Sequence, residues 1–141
     1  MTTCSDVMTT NPVCAQAEDT VVSVAQLMKE QDVGPIPIVD DMTTNRLQGI
    51  VTDRDLAMKV VAEGRDPNNT RVREVMTSDV VTVRHDDDIQ TALDAMSQHQ
   101  LRRILVVDDN EYLVGIIAQA DIATRMNKPE QTGEVVKEIS E

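Results

Sequence analysis

GIVTDRDLA at 49–57 and GIIAQADIA at 115–123 are one strand-to-helix junction written twice. Gly49 and Gly115 recur, as do the β-branched pairs Ile50-Val51 and Ile116-Ile117 and the aspartates Asp55 and Asp121, while Thr52 gives way to Ala118. Outward from the junctions the two copies stay in register. Val7-Met8-Thr9 returns as Val75-Met76-Thr77 at an offset of 68. Val21, Val24, Ala25 and Met28 stand at i, i+3, i+4 and i+7, and Ile89, Ala92, Leu93 and Met96 repeat that spacing, so each copy predicts a helix with one apolar stripe. Asp19-Thr20 and Asp87-Asp88 precede the stripes, where short polar side chains cap the orphan amides of a first turn.

Ile36-Pro37-Ile38-Val39-Asp40 and Ile104-Leu105-Val106-Val107-Asp108 follow as short apolar runs, predicting strands buried on both faces and ended by an acidic turn. The next turn is two residues longer in the first copy, DDMTTNRLQG against DDNEYLVG, so the offset falls to 66 at the glycines. Strands from Leu47 to Thr52 and from Tyr112 to Ala118 then run into helices carrying Leu56-Ala57 and Ile122-Ala123. Each copy therefore reads strand, helix, strand, strand, helix, a mixed α/β (α+β) fold. The expected division is copy one at 1–63, an exposed Gly/Pro/Asn linker at 64–72, copy two at 73–127, and a polar tail or short helix at 128–141 with a weak Val135, Val136, Ile139 stripe. A unit of about sixty residues buries little surface alone. The two copies are thus expected to face each other about a pseudo-twofold axis.

With one Tyr and no Phe or Trp, the core must be made of Val, Ile, Leu, Met and Ala, the eight Met filling irregular gaps. No apolar run approaches the roughly 18 residues that cross a bilayer, and MTTCSDVMTT lacks a signal-peptide pattern, so a cytoplasmic protein without membrane attachment is expected. Net charge is −12, from 25 acidic against 13 basic residues, which repels a phosphate backbone and speaks against nucleic acid. Cys4, Cys14, His85 and His99 show no zinc-type spacing, so no metal site is expected; Cys14 reads as a small hydrophobe in an apolar strand. No Ser-His-Asp grouping, no GxxxxGK and no His near the junction aspartates exists in the sequence, so no enzyme is expected.

The junction itself suits a nucleotide. A first helical turn offers unpaired N–H groups and a positive dipole end to a phosphate, and Thr52 adds a hydroxyl. Asp55, one turn along, can accept both hydrogen bonds of a ribose diol, at roughly 1.5–3 kcal/mol each when shielded. The same Thr52-x-x-Asp55 also reads as a capping box. Ala118 removes the capping hydroxyl while Asp121 stays, which points to a second role for the carboxylate.

The duplicated VMT, stripe helix, buried strand and GI(V/I)(T/A)xxD pattern resembles a tandem pair of CBS domains, the regulatory modules first named for cystathionine β-synthase, over residues 1 to about 127. The resemblance implies two clefts that bind an adenosine compound (AMP, ADP, ATP or S-adenosylmethionine) as regulatory ligand, a homodimer, and a protein effector acted on in trans. It implies that Thr52 lies on the phosphate side and Asp55 on the ribose side of the first cleft, with Asp121 on the ribose side of the second. Pro12-Val13 and Val80-Val81 match first-strand positions that hold the base edge, walled by Ile36-Pro37 and Ile104-Leu105. Arg102-Arg103 stand where such proteins present a cation to phosphate, opposite Gly34-Pro35 in the first copy, and Arg54 can serve similarly; a solvated or ion-paired role is the alternative for these arginines. Ala118 departs from the usual Thr or Ser, so unequal seats are expected, the Thr52–Asp55 seat being the stronger. A protein-interaction or dimerisation module with vestigial clefts is the alternative reading.

Overall fold

The computed structural model describes residues 1–125. The expected tail at 128–141 lies outside them. The chain forms two compact units, and they do not coincide with the sequence copies: one holds 13–80, and among the described residues the other holds 1–12 together with 81–125.

In the unit of 13–80, β2 (Ala15–Gln16) leads into α2 (Val21–Gln31), then β3 (Ile36–Val39), β4 (Leu47–Val51) and α3 (Asp53–Leu56). β2 runs parallel to β3, and β3 antiparallel to β4. Val21, Val24 and Met28 of the predicted stripe are buried, with Ala25 at its edge. Thr20 caps the helix by accepting from the Ser23 amide at 3.2 Å. α3 passes into a π-helical turn at Ala57–Val61, closed by the Ala62 amide donating to the Ala57 carbonyl at 2.9 Å.

The other unit repeats this design. It begins with α1 (Cys4–Val7) and β1 (Thr9–Thr10), and continues with β5 (Thr82–Arg84), α4 (Ile89–His99), β6 (Arg103–Val107), β7 (Leu113–Ala118) and α5 (Gln119–Arg125). Its sheet order is β1-β7-β6-β5, with β5 parallel to β6 and the other pairs antiparallel. Ile89, Ala92, Leu93 and Met96 are all buried, and Asp88 accepts from the Gln90 amide at 2.9 Å. Both hairpins carry a register shift at the same place, between Ile38 and Val39 and between Val106 and Val107.

The heads of the copies are crossed. Thr9 and Thr10 of the first copy pair with Ile116 and Gly115 of the second, while Thr77 of the second bridges to Ile50 of the first. Ile89 donates its amide to Thr2, and Val21 to Thr70, in the same way. Cys4 and Val7 accordingly join the apolar core around Ile89, Met96, Ile104 and Ile117, and Val72 and Val75 join that around Val21, Ile36, Ile38 and Val51. The glycines show why the heads fit. A Cβ on Gly49 would stand 2.7 Å from the Thr77 carbonyl oxygen, and one on Gly115 would collide with the Met8 sulfur. Gly49 and Gly115 lie inside strands and are kept small by the Val-Met-Thr segment laid across them.

This arrangement changes the reading of the linker. Residues 64 and 66–69 are exposed, but Thr70 is 2% exposed and Val72 is fully buried. The Thr70 hydroxyl donates to the Asp66 carbonyl at 2.7 Å, and the Val72 amide to the Asp19 carbonyl at 2.8 Å. The end of the segment is docked because the α2 amides at Val21 and Val22 need its carbonyls. Pro12-Val13 and Val80-Val81 also depart from expectation: they precede β2 and β5 rather than lying in strands, at the points where the chain passes from one unit to the other. Pro12 has no amide to give a ladder. Cys14 likewise sits just ahead of β2, buried as expected.

Candidate functional site

At the first junction Thr52 and Asp55 form a complete capping box. The Thr52 amide and hydroxyl donate to Asp55 Oδ2 at 2.9 and 3.1 Å, and the Asp55 amide donates to Thr52 Oγ1 at 3.2 Å. Asp55 Oδ1 faces Lys59 Nζ at 3.3 Å. Lys59 also donates to the Val75 carbonyl at 3.1 Å. Both carboxylate oxygens of Asp55 are therefore engaged, and its side chain is 18% exposed. Lys59 was not among the expected site residues; its signal is the i, i+4 spacing from Asp55.

At the second junction Asp121 keeps half of the box without the threonine. Its Oδ2 accepts from the Ala118 amide at 2.9 Å, and Oδ1 accepts from the Thr9 hydroxyl at 3.3 Å. The loss of the hydroxyl at 118 thus does not relieve the aspartate of capping, because the carboxylate-to-backbone half of a capping box needs no side chain at the N-cap. Capping therefore still accounts for an aspartate at 121, and the loss of the threonine at 118 does not by itself point to a second role for the carboxylate. Asp121 stays half-buried at the helix start, as Asp55 does.

The expected counterparts occupy equivalent places. The Asp53 amide donates to the Gly34 carbonyl at 3.1 Å and the Gln119 amide to the Arg102 carbonyl at 3.0 Å, so Gly34-Pro35 and Arg102-Arg103 do correspond. Arg103 opens β6 opposite Ala118, and both arginines are exposed. A side chain at Gly34 would meet the Asp53 carboxylate at 3.2 Å. Cations thus stand beside the Asp121 junction through Arg102 and Arg103, and beside the Asp55 junction through Lys59 and the exposed Arg54 on its own helical turn.

Ile36, Pro37, Ile104 and Leu105 are interior residues of the central strands β3 and β6, and Ile36 and Ile104 belong to the cores of their units. Pro12, Val13, Val80 and Val81 are half-buried. His99 ends α4, exposed, as expected. Burial pushes the thiols of Cys4 and Cys14 up to about 11, with Asp87, Asp88 and Asp86 adding to the effect at Cys4. A cavity of about 320 Å³ opens at the other end of the first sheet from Thr52, lined by Gln16, Ala17, Glu18, Asp19, Val39, Asp40 and Gln48, none of which sequence reasoning selected.

The family model described as CBS domain matches residues 4–62 and matches again over 72–128. The chain belongs to the CBS domain family. The CBS domain-containing protein YhcV of Bacillus subtilis is 38% identical over 140 residues, covering 99% of this chain and 96% of the relative. A crystal structure of Hypoxic Response Protein I with two coordinated zinc ions is 39% identical, with a TM-score of 0.79, covering 88% of this chain and 98% of the other. The CBS domain pair of protein MJ0100, solved with 5'-methylthioadenosine and S-adenosyl-L-methionine, is 27% identical with a TM-score of 0.75, over 88% of this chain and 94% of that one. The expected fold class, two CBS repeats of mixed helix and sheet, is therefore borne out. Among the described residues no helix is long and apolar enough to cross a membrane.

Proposed function

We propose that this CBS pair is a regulatory module that binds an adenosine compound, AMP, ADP, ATP or S-adenosylmethionine, and passes its occupancy to a protein partner in trans through a change of shape or of homodimer assembly. The observation that carries the reading is the doubled junction: Asp55 and Asp121 each hold a half-buried carboxylate at a helix start, one oxygen fixed by a backbone amide. A carboxylate so oriented can turn its other oxygen to a ribose diol. The complex of the related MJ0100 pair with two adenosine compounds supports the ligand class. In this reading Asp55 and Asp121 take ribose hydroxyls. Thr52, Arg54, Arg102 and Arg103 stand on the phosphate side, and the Pro12-Val13 and Val80-Val81 backbones hold the base edge. The Thr52–Asp55 seat is the stronger, although its ligand must displace Lys59 from Asp55.

Dye-monitored melting of the full chain with AMP, ADP, ATP and S-adenosylmethionine tests this. Ligand at a hundred times Kd adds roughly 2.7 kcal/mol of stability. Melting curves unmoved by all four would remove the proposal. A second reading, an interaction or dimerisation module with vestigial seats, is favoured by the exposed apolar side chains of Met58 and Val61, 53% and 76% exposed on the turn after Asp55. Partners recovered equally with and without nucleotide, together with flat melting curves, would select it.

A further inference from the structure

The acids of the second copy gather at the end of its sheet away from Asp121, beside an imidazole. His85 and Asp86 follow directly on β5, and Asp109 lies in the hairpin between β6 and β7, 23 residues beyond Asp86. One potential ligand atom from each of the three lies within 4.8 Å of the others, the one such grouping among the described residues. Their backbones are held independently of any ion. The His85 amide donates to the Val107 carbonyl at 3.0 Å, extending the β5–β6 ladder by one residue. The His85 carbonyl accepts from the Ser5 amide and hydroxyl at 2.9 and 3.0 Å. The turn that presents Asp109 is fixed by Asp108, whose Oδ1 accepts from the Asn110 and Tyr112 amides at 2.9 and 3.0 Å.

We propose that His85, Asp86 and Asp109 bind a divalent first-row transition ion, zinc above all. One imidazole and two carboxylates are a borderline donor set, and the imidazole selects zinc, cobalt or nickel over magnesium and calcium, which take oxygen ligands. Donors around a tetrahedral zinc stand about 3.3 Å apart, given bonds of ~2.0 Å. Both aspartates are exposed and the histidine is half-buried, so side-chain rotation closes the grouping from its 4.8 Å spread without moving the strands. Three protein donors leave a coordination position to water, and the ion is exchangeable. Arg84 opposes binding, its Nη2 lying 2.7 Å from Asp109 Oδ1, but that pair is exposed and leaves the second oxygen of Asp109 to the ion. The first copy supplies an internal contrast: Ala17, Glu18 and Asp41 stand at the matching sequence positions, keeping both carboxylates and lacking the imidazole.

The chain contains only two histidines, which makes the test direct. Zinc chloride is titrated into chelator-stripped full-length protein, followed by calorimetry and by imidazole NMR resonances. One ion per chain is expected, with the His85 resonances moving and those of His99 unmoved, and with millimolar magnesium moving neither. His85→Ala and Asp109→Asn should each weaken binding at least tenfold, with folding checked by circular dichroism. Unmoved His85 resonances at millimolar zinc overturn the site. So does a folded His85→Ala protein that binds zinc with the affinity and stoichiometry of the parent, which would assign the ion to other groups such as Cys4 or Cys14. Should both variants fail to fold, the resonances of the parent protein decide by themselves.

Discussion

Lys59 stands between Asp55 and the carbonyl of Val75, 3.3 Å from the carboxylate and 3.1 Å from the oxygen, and so ties the start of α3 to the head segment contributed by the second copy. The Lys59 side chain is 43% exposed, so solvent screens the pair. Lys59→Met should therefore lower stability by less than about 1 kcal/mol, measured by urea unfolding. In the proposed nucleotide seat it should also strengthen adenosine binding, because the carboxylate no longer has to exchange an internal cation for the ribose.

Asp55→Ala removes the carboxylate half of its capping box, the Thr52 hydroxyl contact and the Lys59 ion pair, whereas Asp121→Ala removes one backbone cap and one threonine contact. Each variant loses a cap that contributes about 0.5–2 kcal/mol, and the further loss of the Lys59 pair, less than about 1 kcal/mol, should make Asp55→Ala the more destabilising of the two in denaturant titrations. Calorimetry with the nucleotide that gives the largest melting shift should show most binding lost in Asp55→Ala and less in Asp121→Ala. Thr52→Val provides a control that weakens the cap but keeps the carboxylate.

Gly49→Ala and Gly115→Ala should both destabilise, with Gly49→Ala the costlier. At Gly49 the nearest obstacle is a backbone oxygen at 2.7 Å, which cannot retreat without moving the head segment bridged to Ile50; at Gly115 it is the end of a flexible methionine. Overpacking of this kind costs about 1–3 kcal/mol, read as a lowered urea midpoint.

The two buried thiols set an alkaline limit. Their folded pKa values lie near 11 against 9.0 for the ordinary thiol, so below pH 9 folded and unfolded chains hold the same protons and the thiols leave stability unchanged. As pH rises from 9 toward 11 the unfolded chain releases protons that the folded chain retains, and stability falls. Cys4→Ala and Cys14→Ala should flatten that decline in pH-dependent melting, and both native thiols should react with a thiol reagent at neutral pH only through unfolding.

The stripe helices, their caps and the paired hairpins were legible in the sequence because each is set by neighbours within a few residues: Val21 to Met28, Ile89 to Met96, Thr20 and Asp88. The crossing of the heads was not. Val7-Met8-Thr9 and Val75-Met76-Thr77 are near copies, and nothing in their local pattern says which junction each one completes. The roles of the junction residues were half legible. The aspartates were found, but the capping of Asp121 through a backbone amide leaves no mark in the residue types at 118–120, and Lys59 is marked by helical spacing alone. His85, Asp86 and Asp109 meet only because β5 and β6 are parallel neighbours, so a search for ligand spacing along the chain passes over them.

No junction in this fold is completed by the head of its own copy. Half-length polypeptides, each with one copy, would therefore finish their sheets only by reciprocal exchange between two molecules, at a rate and extent set by concentration. Residues 64–69 turn that encounter into a tethered one, with an effective concentration on the order of millimolar for a short connection. Cutting there should leave two fragments that remain associated, and separating them should cost both their structure.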